Sequence, residues 1–166
     1  MGRVVRRGKD EMMADSIELD EIDRAIIRQL QVDGRTPYSK LGPAVGLSQA
    51  AVRPRVQRLI DRGVIQVVAV TDPSTLGFTI QAMIGIRAEG SVKTVGDALS
   101  DIDEVEYVVI TAGRYDLLAE VVCIDTHALF DLVNDRIRSL AGVASTEIFT
   151  YLGVVKRTYS WEPGMP

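Results

Sequence analysis

The chain has 166 residues, of which 46% are hydrophobic and 25% charged, so it has the composition of a folded protein and wholesale disorder is excluded. Its formal net charge of −4, from 19 basic and 23 acidic residues, argues on its face against a nucleic-acid partner. The distribution of those charges along the chain points the other way for one part of it.

Residues 1–19 carry four bases and four acids, residues 20–70 eight and five, and residues 71–166 seven and fourteen. A short module of net +3 therefore precedes a larger one of net −7. Within 34–70 six basic residues face one acid, Asp61. Such asymmetry suggests a polyanion-binding part joined to a part with another task. The single cysteine, Cys123, permits no internal disulfide and suits a reducing cytoplasm. With His127 as the only histidine, an ordinary zinc site is not expected, and no other cofactor is called for. No apolar run approaches the eighteen or so residues of a membrane span. The basic N-terminus lacks the apolar core of a signal peptide, so a cytoplasmic protein is expected.

Residues 1–18 show no periodicity and read as a flexible tail, and residues 162–166 form a C-terminal tail. Regular structure starts at Leu19. Ile22, Ala25, Ile26 and Leu30 share one face of a first helix, with Asp20, Glu21 and Asp23 in its first turn and Asp33-Gly34 at its end. Thr36 as N-cap and Pro37 at the first helical position open a second helix, with Leu41 and Val45 inward. Gly42-Pro43 weakens it or confines it to two turns, and Gly46 ends it. Ser48 caps a third helix that runs to about Arg62 and stops at Gly63. Val52, Val56 and Leu59 form its buried stripe, while Ala50, Arg53, Pro54, Gln57 and Arg58 project outward. Three short helices, the last two joined by the tight turn Gly46-Leu47, make a helix-turn-helix over 19–63. Val64–Val70 reads as a strand, which would make the module winged-helix-like, and a linker from Asp72-Pro73 completes 64–77.

From Phe78 the pattern changes. Strands are expected over Phe78–Ala88, Val105–Thr111, Leu117–Ile124 and Ser145–Val155, and helices over Val92–Leu99 and Thr126–Leu140. The order βαββαβ over 78–161 is the ferredoxin-like arrangement, so the whole chain is α+β. Both faces of its sheet are rich in apolar residues, whereas two helices cover only one. The other face is expected to bury itself against a second copy, in a homodimer through the sheets.

The third helix is the candidate reading element, because a major groove admits one helix whose leading residues reach base edges. Ser48, Gln49, Ala50 and Arg53 occupy the leading turns. Gln49 suits an adenine edge, Arg53 a guanine, and Ala50 a thymine methyl. Arg58, further along, suits phosphate, and Gln57 lies on the same face. Arg55 sits roughly 60° from Val52 around the helix. It either ties the helix to an acid of the first helix or lies along a DNA backbone. Pro54 removes a hydrogen bond to Ala50, so the helix bends there or starts later than Ser48. In the second module the turn Gly113-Arg114-Tyr115-Asp116 offers donors and acceptors for a zwitterion, with Gly113 supplying backbone freedom. A plain connection between strands explains the same residues. Asp125 or Thr126 caps the helix that contains His127, which leaves that segment a structural role. No phosphate loop, paired-carboxylate spacing or nucleophile elbow appears, so no enzyme is expected.

The sequence resembles the Lrp/AsnC (leucine-responsive/asparagine-responsive, or feast/famine) family of transcription regulators over about Leu19 to Trp161. Leu19-Asp20, Asp23, Ile26-Ile27 and Leu30 match its first helix. Val45-Gly46-Leu47-Ser48, Val52, Arg55, Val56, Leu59 and Gly63-Val64-Ile65 are similar to its helix-turn-helix signature. Asp72-Pro73, Leu76-Gly77, Thr111-Ala112-Gly113, Tyr115-Asp116 and Gly142-Val143 match its effector domain. The resemblance implies double-stranded DNA as partner and dimers often assembled into octamers. It implies a small effector, usually an amino acid, bound between dimers near the 113–116 turn. Thr111, Gly113, Arg114, Tyr115, Asp116 and Thr126 are the candidate effector residues. Two competing functions are an effector-sensing oligomer that no longer reads DNA and a tetrapyrrole decarboxylase-like enzyme on the same fold. The second relies on histidine and basic residues around a tetrapyrrole, work for which a chain with His127 as its only histidine is poorly equipped.

Overall fold

The computed structural model describes residues 18–156, which fall into two compact units, one up to Ala69 and the other from Val70. Apart from Glu18, the two expected tails lie outside the described residues.

The first unit holds three helices, α1 (Glu21–Val32), α2 (Tyr38–Ala44) and α3 (Gln49–Asp61). Asp20 caps α1 by accepting the Asp23 N–H at 2.7 Å, so it stands before the first turn rather than within it. Ile26, Leu41, Val52, Val56 and Leu59 are almost fully buried and form one core with Ile27. Ile27 joins the core more completely than Ile22, Ala25 or Leu30, which stay half-buried.

Thr36 does not cap α2. Pro37 occupies that position, and the Thr36 hydroxyl donates to the Asp33 carbonyl at 2.8 Å. The helix is two turns long, and its shortness has a packing reason at Gly42. A Cβ there would stand 2.8 Å from the Leu47 carbonyl oxygen and 3.0 Å from that of Ser48. The Leu47 N–H also donates to the Gly42 carbonyl at 2.8 Å, so the α2–α3 turn folds directly onto this residue. Gly46 and Gly63 follow α2 and α3 with φ of 75° and 68°, the left-handed conformation that ends a helix.

Ser48 caps α3 by accepting the Ala51 N–H at 3.2 Å. The helix therefore starts where the sequence pattern places it, and it continues through Pro54, which settles the register from the cap onward. Beyond Gly63 the expected strand Val64–Val70 is absent. Val64 and Ile65 pack on the helical core, while Val67, Val68 and Val70 are exposed and bridge to no other strand among the described residues. β-Branched residues favour extended backbone, but a strand also needs a hydrogen-bonding partner, and this segment has none there.

The second unit opens with a 3-10 turn, Pro73–Leu76, capped by Asp72. Its sheet contains β1 (Ile80–Ala88), β2 (Val105–Ile110), β3 (Leu117–Cys123) and β4 (Val143–Thr150) in the order β2-β3-β1-β4, all antiparallel. Helix α4 (Val92–Leu99) joins β1 to β2, and α5 (Thr126–Asp131) follows β3. This is the ferredoxin-like arrangement. The expected helix over Thr126–Leu140 is not uniformly α. After Asp131 it widens into π geometry over Leu132–Ile137, marked by the Arg138 N–H donating to Val133.

Register assigns the faces. Ile84 stands opposite Ala119 on one side and Ile148 on the other, and Ile86 opposite Leu117. With Val95, Leu99, Leu129, Leu132 and Ile137 of the helices, the buried members of these pairs make the larger core. The opposite face carries Met83, Leu118, Val109, Tyr107 and Phe149, all partly exposed, with Glu120 among them. It is apolar enough to be unusual for an open surface, though less uniformly so than alternation alone implies.

Because backbone fills the space beside Gly42, Gly42→Ala should destabilise the helical unit by about 1–3 kcal/mol. Denaturant unfolding followed by helical circular dichroism checks this, with Gly113→Ala, at an open site, as the neutral comparison.

Candidate functional site

Two places carry candidate chemistry, one in each unit. Counted from the Ser48 cap, the leading turns of α3 present Gln49, Ala50 and Arg53, all exposed. The Ser48 hydroxyl is engaged in capping. Gln57 donates to Asp61 at 2.8 Å, so an acid lies on the outward face that the sequence pattern assigns to bases and amides.

Arg55 resolves to one of its two alternatives. Its Nη1 donates to Asp20 at 2.5 Å and to Asp23 at 3.0 Å, tying α3 to α1. Arg58 is held similarly, its Nη2 meeting the two Asp23 oxygens at 2.9 and 2.7 Å. The sequence pattern gives it to phosphate; in this chain it already has a carboxylate. Asp23 is only 2% exposed, and it is the one buried charged side chain among the described residues. A carboxylate in that position needs paired, hydrogen-bonded charge, and two guanidinium groups supply it. The Arg55 hydrogen bond, with the Asp23 N–H at the cap, holds Asp20 below the usual carboxylate range. The same two acids, Asp20 first, raise Arg55. Asp23 was legible as more than a first-turn acid, since it lies three residues before Ile26 on the inward face.

The turn between β2 and β3 is built by specific bonds. The Thr111 N–H donates to the Asp116 carbonyl at 2.9 Å, and the Thr111 hydroxyl to the Tyr115 carbonyl at 2.6 Å. Asp116 joins the turn to β1, donating its N–H to Ile86 and accepting the Ala88 N–H on Oδ2, each at 2.9 Å. Thr111 and Asp116 thus shape the turn. Gly113 contributes no unusual backbone conformation: its φ is not positive, and a Cβ there would meet nothing within 4 Å.

Tyr115 lies flat over Gly85, where an added Cβ would come within 2.8–2.9 Å of the ring. Phe149 meets it edge-on with centroids 5.9 Å apart, and the Arg114 guanidinium sits 5.5 Å from the ring centroid. Arg114 also approaches Glu147 at 3.4 Å and remains mostly exposed. The Tyr115 hydroxyl is buried without a hydrogen-bond partner among the described residues. Gly85, Glu147 and Phe149 escape sequence reading, because they come from other strands and carry no local signal. Thr126 is exposed at the start of α5, and among the described residues no hydrogen bond joins it to this turn. Asp125 takes the cap, accepting the Ala128 N–H at 2.8 Å. His127 pairs with Asp131 at 2.9 Å on the helix surface. Cys123 is buried, which pushes its thiol up with help from Glu104 and Asp125. Among the described residues no group of His, Cys, Asp or Glu is placed to hold a metal ion, and no helix is long and apolar enough to cross a membrane.

Residues 19–60 match the model of the AsnC-type helix-turn-helix domain, and residues 81–161 that of the Lrp/AsnC ligand binding domain. The chain belongs to the Lrp/AsnC family. It is therefore a transcriptional regulator with a helix-turn-helix for DNA and a ligand-binding domain. A relative from Pyrococcus horikoshii, the HTH-type transcriptional regulator PH0140, is 36% identical over 146 residues, covering 87% of this chain and 92% of the relative. The feast or famine regulatory protein Rv3291c from M. tuberculosis, solved with L-methionine, superposes with a TM-score of 0.81 at 33% identity, covering 88% of this chain and all of that one. The regulator NMB0573 from Neisseria meningitidis, in its L-Met complex, gives 0.79 at 26% identity, with coverage of 87% and 96%.

In this Lrp/AsnC chain the Tyr115 ring and the Gly85 backbone occupy adjoining space. Gly85→Ala should displace the ring, lowering the unfolding temperature of the sheet unit and altering tyrosine near-ultraviolet dichroism. An unchanged tyrosine signal would contradict the packing described.

Proposed function

We propose that this regulator is sequence-specific and reads a pseudo-palindromic site in double-stranded DNA with α3. The observation that carries the proposal is the exposed leading face of α3. Gln49, Ala50 and Arg53 are free of intramolecular partners among the described residues, whereas Arg55 and Arg58 are engaged. Base reading thus falls to the first turns, and Arg53 is its cationic member. Ser48, as the cap, presents its neighbours to the groove, and Gln57 lies further along the outward face. Homodimers form through the open face of the sheet, where Met83, Leu118, Val109 and Phe149 otherwise remain partly exposed. Further assembly, up to octamers, brings the turns of adjacent dimers together.

The effector is a small molecule, an amino acid, bound between dimers near Thr111–Asp116, and L-methionine, held by two structural neighbours, heads the candidates. Arg114 and Asp116 supply opposite charges for a zwitterion, and the Tyr115 ring an apolar wall. Thr126 contributes from a neighbouring part of the assembly. Effector binding biases assembly and hence the spacing of the reading heads, a coupling of two binding free energies. No catalysis is involved, and the regulator works in the cytoplasm.

Selection of bound genomic fragments, repeated with each amino acid in turn, tests this. One enriched pseudo-palindrome is expected, with occupancy shifted by one amino acid or a small group. Arg53→Ala should relax preference at one base position, costing about 1–3 kcal/mol there. Equal affinity for the enriched and random sequences at moderate salt would overturn the proposal.

A further inference from the structure

The geometry points to Asp20 as a residue that sets sequence-independent DNA affinity: by pairing with Arg55 it withholds one cation of α3 from phosphate, and so lowers affinity for DNA of any sequence. The inference rests on α3 facing DNA as proposed above.

Affinity that ignores sequence is set by how many phosphates a protein neutralises. A residue that pairs with a cation of the binding face lowers this common term for every sequence alike, without touching a base. Four arginines lie on α3 and its C-cap: Arg53, Arg55, Arg58 and Arg62. The cluster Asp20, Asp23, Arg55 and Arg58 carries two charges of each sign, so it is neutral as it stands. Of these four arginines, Arg53 and Arg62 have no carboxylate partner among the described residues.

The two acids differ in what holds them. Asp23 is buried and bonded by both guanidinium groups, and α3 depends on it for its seat against α1. The Asp20 side chain is 50% exposed, and Arg55 keeps its bond to Asp23 without it. Both Arg55 contacts use Nη1, and the side chain retains 28% exposure, so its remaining donors can meet an arriving phosphate. A phosphate oxygen competes with the Asp20 carboxylate for the same guanidinium. Removing the charge of Asp20 leaves the cluster at +1 and ends that competition. A residue needed only for folding would act in the opposite direction, because its loss weakens binding.

The test uses the full chain with Asp20→Asn, since an asparagine side chain caps α1 as well as aspartate does. Binding to a labelled random-sequence duplex is measured between about 50 and 200 mM salt. The variant should bind more tightly than wild type at low salt. Its log affinity should fall more steeply with log salt by about 0.9, so that it loses about threefold more over that range. In an Arg55→Gln background Asp20→Asn should give no gain. Unchanged or weaker binding with an unchanged slope overturns the inference. So does a gain that persists without Arg55, which would reflect general repulsion of DNA by an acid. If Arg55→Gln does not fold, the slope of Asp20→Asn alone decides. Wild-type protein that binds but shows no change in the variant defeats only this inference, whereas wild-type protein that binds no DNA defeats the proposed function as well.

Discussion

The helical unit is organised around one buried carboxylate. Asp23 has almost no access to water, and an uncompensated charge in that position would cost several kcal/mol. Arg55 and Arg58 answer it from successive turns of α3, three residues apart on one side of the helix. The requirement fixes more than a contact. Two guanidinium groups converging on one carboxylate define both the rotation of α3 about its axis and its position along α1. The outward direction of Ala50 and Arg53 follows from that rotation. The apolar stripe of Val52, Val56 and Leu59 drives the helices together without choosing a unique angle, because hydrophobic burial is non-directional. The ion cluster supplies the direction, and the backbone contact at Gly42 sets how closely the turn before α3 is drawn in.

In the second unit the equivalent constraint is steric. Tyr115 leaves the 111–116 turn and lies across the sheet face that carries no helix, over Gly85 and against Phe149. The turn and the open face are thereby one structure. Asp116 reinforces the link by bonding the turn to the end of β1. A ligand that moves Arg114 or Tyr115 acts on residues that also border Glu147 and Phe149 of β4. A short physical path therefore joins the proposed effector site to the proposed dimer surface, which is what coupling between ligand and assembly requires. The unpartnered Tyr115 hydroxyl adds to this, since a buried donor without an acceptor is a cost that rearrangement can relieve.

Much of this was legible in the sequence because it depends on local signals. Helical periodicity found all three helices of the first unit, and the caps Ser48 and Gly63 fell where expected. Alternation and turn residues found every strand of the second unit, three of them to within two residues, whereas β4 ends at Thr150, five residues before the expected Val155. What failed depended on partners distant in the chain. Val64–Val70 has the residues of a strand, yet pairing decides, and none of the described residues pairs with it. Thr36 has the chemistry of a cap, but Pro37 takes the position and the threonine bonds backward to Asp33. The π segment after Asp131 has no local marker. The roles of Arg55 and Arg58 turned on Asp23, thirty-two and thirty-five residues away. Gly85 and Phe149 reach the 111–116 turn only through the sheet register, which no nearby spacing encodes.

Charge shows the same limit in a useful form. Partition along the chain revealed a basic module of net +3 inside an acidic protein, which identified the part that meets DNA. Net charge nevertheless overstates what the reading helix offers. Of the four arginines on α3 and its cap, two are neutralised by acids at the start of α1, and Asp61 sits on the same outward face with Gln57. The module therefore meets DNA with fewer free cations than its composition supplies. The difference goes into fixing the helix. Affinity without specificity would serve a regulator poorly, since every stretch of duplex carries the same phosphates. Placing the carboxylates within the fold lets the same arginines orient α3 and, on the inference drawn above, be withheld from the backbone, which leaves the proposed reading residues, Arg53 and its neighbours in the leading turns, to decide where the protein stays.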